Sequence, residues 1–195
     1  MVTDIPDARR TRFARTTPVP RSRHILIYGP PAAGKLTVAR CLAAGYGLKL
    51  LDNTLTIEVA LRLFEFGTEP FSELVERLRC ELLSAAATAG SDIVTTFVYA
   101  HPIDRGYVDR VVGITERGGG TVTFVQLLPP PHVLEERVTE PSRATMAKFR
   151  DPEKLRSALA EYDLRTPITP DDLSIDNSDI PPAEVAAMIA DHADL

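Results

Sequence analysis

His24-Ile-Leu-Ile-Tyr-Gly29-Pro-Pro-Ala-Ala-Gly34-Lys35-Leu-Thr37-Val-Ala-Arg40 is the stretch on which the reading of this chain turns. His24–Tyr28 is an apolar run of strand length. Leu36–Ala44 has helical period. Between them Gly29, Gly34 and Lys35 stand at GxxxxGK spacing, with a strand before and a helix after, the context in which that spacing makes a phosphate-binding loop. The chemistry follows from geometry. Backbone N–H groups around Ala33–Thr37 converge on phosphate oxygens, and the start of the helix adds a positive dipole. Gly34 lets the backbone approach closely, and Lys35 reaches the terminal phosphates. Pro30 and Pro31 offer no N–H, but they precede the donors that matter. The usual Ser/Thr that follows the lysine and ligates Mg²⁺ is Leu36 here, and Thr37 comes next.

Working outward, a rhythm of strands and helices appears. Further strand-like runs are Leu48–Asp52, Ile93–Tyr99, Thr121–Leu128 and Leu173–Asp176. Helical segments are Leu55–Phe66, Phe71–Ala87, Ile103–Glu116, Val133–Val138 and Ala183–His192. Proline stands near several helix starts and glycine past several ends, the expected punctuation. Such alternation implies a parallel sheet with helices on both faces.

Composition bounds the function. The 195 residues are 44% hydrophobic and 25% charged, which fits one domain. No apolar run approaches the ~20 residues that span a bilayer. Two cysteines, Cys41 and Cys80, exclude a disulfide scaffold and suit a reducing, cytoplasmic setting. His24, His101, His132 and His192 stand alone and make no metal motif. Arg9, Arg10, Arg12, Arg15, Arg21 and Arg23 against Asp4 and Asp7 give residues 1–23 a charge of +4, which leaves −9 for the rest of a chain whose net charge is −5. A disordered Arg-rich tail over 1–22 and one folded domain over 23–195 are expected. The acidic body argues against nucleic acid as a partner.

With these residues in hand, the chain resembles the shikimate kinase and adenylate kinase group of P-loop small-molecule kinases. Chloramphenicol phosphotransferase and gluconate kinase have a similar layout. Gly29–Thr37, Leu55-Thr56 and Phe97-Val98-Tyr99-Ala100 also look like a family of bacterial ATPases of unknown role, over roughly residues 24–190. In that family a His-Asn-His triplet follows the second strand; here Asp52-Asn53-Thr54 stands there. The resemblance implies a three-layer α/β/α P-loop fold with a five-stranded parallel sheet in the order 2-3-1-4-5. It also accommodates Leu36, because in adenylate-kinase-type loops the threonine touches a phosphate while Mg²⁺ is held largely through water. Thr37 is the residue placed there.

Asp52 ends the second strand run, where ligands gather in open α/β sheets. A carboxylate there orients an acceptor hydroxyl or takes its proton; the competing reading is a cap for the helix that follows. Asn53 is its neighbour in the acceptor region. On the Phe71–Ala87 helix, Phe71, Leu74, Val75, Leu78 and Leu82 share a face with Arg79 at its shoulder, placed for an anionic or polyhydroxyl acceptor. The third strand run ends in Thr95, Thr96 and Tyr99 with no Walker B acid, and Asp104 serves the next helix start. Tyr99 and His101 are candidates for the acceptor pocket or for packing. The segment Arg137–Arg150 resembles the lead-in to a lid near 139–152, in which Arg137 and Arg143, with Lys148 weaker, would neutralise the transferring phosphoryl. Asp176-Asn177-Ser178 resembles the loop after the last strand, which packs against adenine.

The expected function is therefore ATP- and Mg²⁺-dependent phosphorylation of a small-molecule hydroxyl. Lys35, Asp52, Arg137 and Arg143 are the catalytic candidates. Gly29, Ala32, Ala33, Gly34, Lys35, Leu36, Thr37, Arg137 and Asn177 hold nucleotide, while Asp52, Asn53, Arg79 and Tyr99 hold the acceptor. A nucleoside-monophosphate kinase and a nucleotide-binding regulatory protein are the alternatives.

Overall fold

The computed structural model describes residues 22–141 and 150–195. The N-terminal tail, and Arg143 and Lys148 with most of the expected lid, lie outside the described residues. The elements are β1 (Arg23–Tyr28), α1 (Lys35–Tyr46), β2 (Lys49–Leu51), α2 (Asn53–Ala60), α3 (Glu69–Thr88), β3 (Ile93–Phe97), α4 (Arg105–Arg117), β4 (Thr121–Leu127), α5 (Pro131–Val138), α6 (Pro152–Glu161), β5 (Leu173–Ile175) and α7 (Pro182–His192). The five strands form one sheet in the order β2-β3-β1-β4-β5, every pair parallel. This is the expected three-layer fold.

The period of two in β1 builds both cores. Ile25 and Ile27 face one layer, with Val38, Leu42, Val185 and Ile189 of α1 and α7. Leu26 and Tyr28 face the other, with Leu83, Val108 and Val111 of α3 and α4. Fully burying side chains of this size contributes roughly 1.5–3 kcal/mol each, so the central strand anchors both layers. His24 falls on the Leu26 face and is fully buried there. A third, small cluster of Ala60, Phe71 and Val75 fastens α2 to α3.

Three local expectations are corrected. The helix read over Leu55–Phe66 stops at Ala60. Beyond that point the chain runs in turns, Leu61, Leu63, Phe64 and Phe66 are 37–70% exposed, and Phe66 meets the Phe71 ring of α3 at 5.1 Å. The buried row of α3 is Phe71, Val75, Leu83 and Ala87, while Leu82 is 44% exposed. That four-residue spacing puts Arg79 in the middle of the inward row rather than at its shoulder. Finally, α6 was not anticipated. Asp151 caps it by accepting from Glu153 N–H (2.9 Å), with Pro152 in the first turn. The Asp-Pro-Glu signal was available in the sequence.

Candidate active site

The loops of the site sit at the carboxyl ends of β1, β2 and β5, Arg79 and Arg137 reach in from α3 and α5, and each part owes its position to local chemistry. Gly29 follows β1 with φ 140°; a Cβ there would lie 2.2 Å from the Leu127 carbonyl oxygen, so only glycine lets the loop leave between β1 and β4. Gly34 is the N-cap of α1 in the left-handed region, φ 89°. The amides at the start of α1 are those a helix leaves without acceptors of its own. Ala32 also has positive φ, 67°. Ala33 N–H turns onto Pro30 O at 3.3 Å, so in this structure it belongs to the loop's own turn rather than to the group facing outward. The Lys35 ammonium donates to Gly29 O (2.8 Å) and Pro30 O (2.6 Å), folded back over the loop entrance. Leu36 is half-buried and Thr37 exposed.

The loop after β5 closes against this cradle. Asn177, 5% exposed, donates from Nδ2 to Ala33 O at 2.9 Å. Arg137, in the last turn of α5, donates from Nη2 to Asn177 O (2.8 Å) and Ser178 O (3.0 Å). Arg137 is thus brought to the phosphate loop, held there by two carbonyls.

Beyond β2 lies a second cluster. Asp52 ends the strand and caps α2: its Oδ1 accepts from Thr54 N–H (2.8 Å) and from the Thr54 hydroxyl. Oδ2 has no protein donor among the described residues. The capping reading and the acceptor reading are therefore compatible, one oxygen for each. Asn53 N–H donates to Thr96 Oγ1 at 3.1 Å, tying α2 to β3. Arg79 reaches across from α3, donating to Asn53 Oδ1 and to Thr56 Oγ1 (3.2 Å). Its guanidinium lies 5.7 Å from the Phe97 ring centroid and 5.9 Å from that of Tyr107. No carboxylate lies within 4 Å of it among the described residues; Glu76, one turn before it, pairs instead with Arg110 at 2.6 Å. Burial holds the Arg79 pKa below the ordinary guanidinium value and pushes the Tyr107 hydroxyl up to about 12. Asp52, Asn53, Thr56, Arg79, Thr96 and His24 line a common cavity of about 20 Å³, room for about one water.

Tyr99 does not join them. It is 1% exposed, meets Tyr28 edge-on, and shares a 3.1 Å hydrogen bond with His101 Nδ1. Asp104 was expected to serve the start of α4, but it makes no side-chain cap; its Oδ2 accepts from Ala100 N–H at 2.8 Å and closes the preceding turn. Burial raises its carboxyl above the usual range, against the opposing pull of that N–H and of Arg79. Thr56, Phe97 and Tyr107 were missed as members of the cluster. Thr56 is a buried threonine on an otherwise amphipathic helix, the kind of signal that could have been read; the aromatic bed under Arg79 comes from two distant elements and left none.

No protein-family model matches the chain, and no curated protein does. Solved structures do match in fold. A Chloroflexus aurantiacus protein shares 18% identity over 89% of this chain and 96% of its own, TM-score 0.68. A sugar kinase from Janibacter sp. shares 23% over 89% and 95%, TM-score 0.62. The tunicamycin resistance protein of Deinococcus radiodurans shares 21% over 90% and 97%, TM-score 0.62. The chain has the fold of the P-loop small-molecule kinases.

Proposed function

We propose that this chain transfers the terminal phosphoryl group of ATP to a hydroxyl of a small molecule. The observation that carries the reading is the pairing of two half-sites at one sheet edge: the Gly29–Thr37 loop with its αL glycine and lysine, and the Asp52 carboxylate, whose Oδ2 no described residue engages. The solved relatives in fold include a sugar kinase and a gluconokinase, which supports phosphotransfer of this kind.

In this reading Lys35 Nζ exchanges Gly29 O and Pro30 O for phosphate oxygens, and the amides from Gly34 to Thr37 hold the rest of the chain of phosphates. Asp52 Oδ2 orients the acceptor hydroxyl and receives its proton as the acceptor oxygen bonds to phosphorus and ADP leaves with the bridging electrons. Arg79 and Asn53 hold the acceptor. Arg137 and Arg143 stabilise the equatorial charge. Mg²⁺, when bound, would neutralise phosphate charge, and Thr37 is the residue that would help hold it. A ligand pocket needs ~300–1,000 Å³, so the cavity of about 20 Å³ requires α2 and α3 to draw back from β3 when the acceptor enters.

Two steps test this. Purified protein is assayed for ADP release against a panel of hydroxylated metabolites, nucleosides, nucleoside monophosphates and antibiotics, with Lys35→Ala as control. Turnover with a hydroxyl acceptor, lost in the control, is expected; nucleotide binding with no turnover on any acceptor would favour a regulatory protein. On the acceptor found, Asp52→Asn should lower kcat by roughly 10²-fold or more with ATP affinity near normal. An unchanged kcat removes Asp52 from the chemistry.

A further inference from the structure

We infer that Asn177 is a positioning residue for phosphate binding, a latch that fixes which way the Ala33–Gly34 peptide faces. This rests on the phosphate-loop reading above. The argument begins with Gly34. Its backbone, φ 89° and ψ 7°, lies where glycine alone is at ease, and glycine is equally at ease with φ negative. The peptide joining Ala33 to Gly34 is therefore one that can turn over at little local cost. A trans peptide points its C=O and its N–H in opposite directions. One orientation presents Gly34 N–H to an incoming phosphate; the flipped one presents the Ala33 carbonyl oxygen, which repels it.

Asn177 decides between them. Its Nδ2 donates to Ala33 O at 2.9 Å, which anchors the carbonyl and so aims Gly34 N–H away from it. A Cβ on residue 34 would come within 3.3 Å of that same Nδ2, so the amide is packed directly on the glycine it controls. The latch is itself held: Arg137 Nη2 grips the carbonyls of Asn177 and Ser178 at 2.8 and 3.0 Å. Arginine, carbonyl, amide, carbonyl and phosphate-loop N–H form one chain of contacts from α5 to the start of α1.

Stability does not account for an asparagine here. Its Oδ1 is buried with no hydrogen-bond partner among the described residues. An acceptor left in that state carries a free-energy cost; an apolar side chain of the same shape would remove it but leave the buried Ala33 carbonyl without its donor, so the two effects largely offset. The amide is used for its donor, and the donor is spent on the loop.

The experiment compares the full chain with Asn177→Leu and Asn177→Asp. Both keep the shape and lose the donor; the leucine also removes the orphaned oxygen. Melting temperature is measured beside affinity for ATP and for inorganic pyrophosphate by calorimetry. For Asn177→Leu a melting temperature close to wild type is expected, because the orphaned Oδ1 is removed while Ala33 O loses its donor, with affinity for both probes lowered about tenfold, the loss of one hydrogen bond to a charged ligand. Asn177→Asp should lose more, through repulsion of the phosphates, and carries the test if the leucine variant does not fold. Wild-type affinity in a folded variant overturns the latch. If wild type binds neither probe, the phosphate-loop reading fails and the latch with it.

Discussion

His24 makes this protein sensitive to mild acid, by an amount the structure specifies. The ring lies in β1 with no access to solvent, its Nε2 2.8 Å from Thr95 Oγ1 and its Nδ1 3.2 Å from Thr115 Oγ1. Thr115 donates its own proton to Val111 O at 3.1 Å, so it accepts from His24 Nδ1–H, and Nε2 accepts from Thr95. Both nitrogens are satisfied in the neutral form. Burial drives the pKa from 6.5 to about 3. Between those values the unfolded chain binds a proton that the folded chain refuses, so stability is intact above pH 6.5 and falls as pH drops toward 3. One pKa unit is worth about 1.4 kcal/mol, so moving from pH 7.5 to 5.0 costs about 2 kcal/mol. The chain has no tryptophan, so urea unfolding is best followed by far-UV circular dichroism. At a slope of about 2 kcal/mol per molar the midpoint should move down by roughly 1 M. His24→Gln, which cannot titrate, should start lower at pH 7.5 but lose most of this pH dependence. Asp92, Asp163 and Asp176, whose carboxyls are held below their ordinary range by hydrogen bonds, contribute their losses at lower pH and do not mask the window. Equal midpoint shifts in wild type and His24→Gln would refute the reasoning.

Two further outcomes are expected. Gly29→Ala places a Cβ 2.2 Å from the Leu127 backbone at φ 140°, and should destabilise the fold by about 3 kcal/mol or more, read as a lowered urea midpoint with loss of ATP binding. Arg79→Met keeps an apolar stem beside Phe97 and Tyr107 but removes the guanidinium; acceptor KM should rise about tenfold or more while ATP affinity holds, and parallel losses in both would place Arg79 in scaffolding instead.

The Gly29–Thr37 loop between β1 and α1 was legible because its information is local. Gly29, Gly34 and Lys35 are fixed by spacing, and the strand before and helix after by the period of their apolar residues. The sheet order followed from the resemblance and the structure has it. What the sequence could not determine is where periodicity meets a surface that other segments supply. Leu61–Phe66 has helical apolar spacing, but the helix ends at Ala60 and the apolar side chains that follow stay largely exposed, with Phe66 turned onto Phe71. Arg79 was read at the shoulder of a face of Phe71, Leu74, Val75, Leu78 and Leu82; packing against α2 and α4 selected the 71-75-83-87 row and turned the arginine inward. Asp52 as cap or as acceptor carboxylate was undecidable along the chain, since both uses share one backbone position; the side-chain geometry shows the cap, made by Oδ1 alone. Asn177 and Ala33 lie 144 residues apart, and no period or motif links them. Their contact exists because parallel strands β1, β4 and β5 end at the same edge of the sheet, and that convergence is a property of the tertiary structure alone.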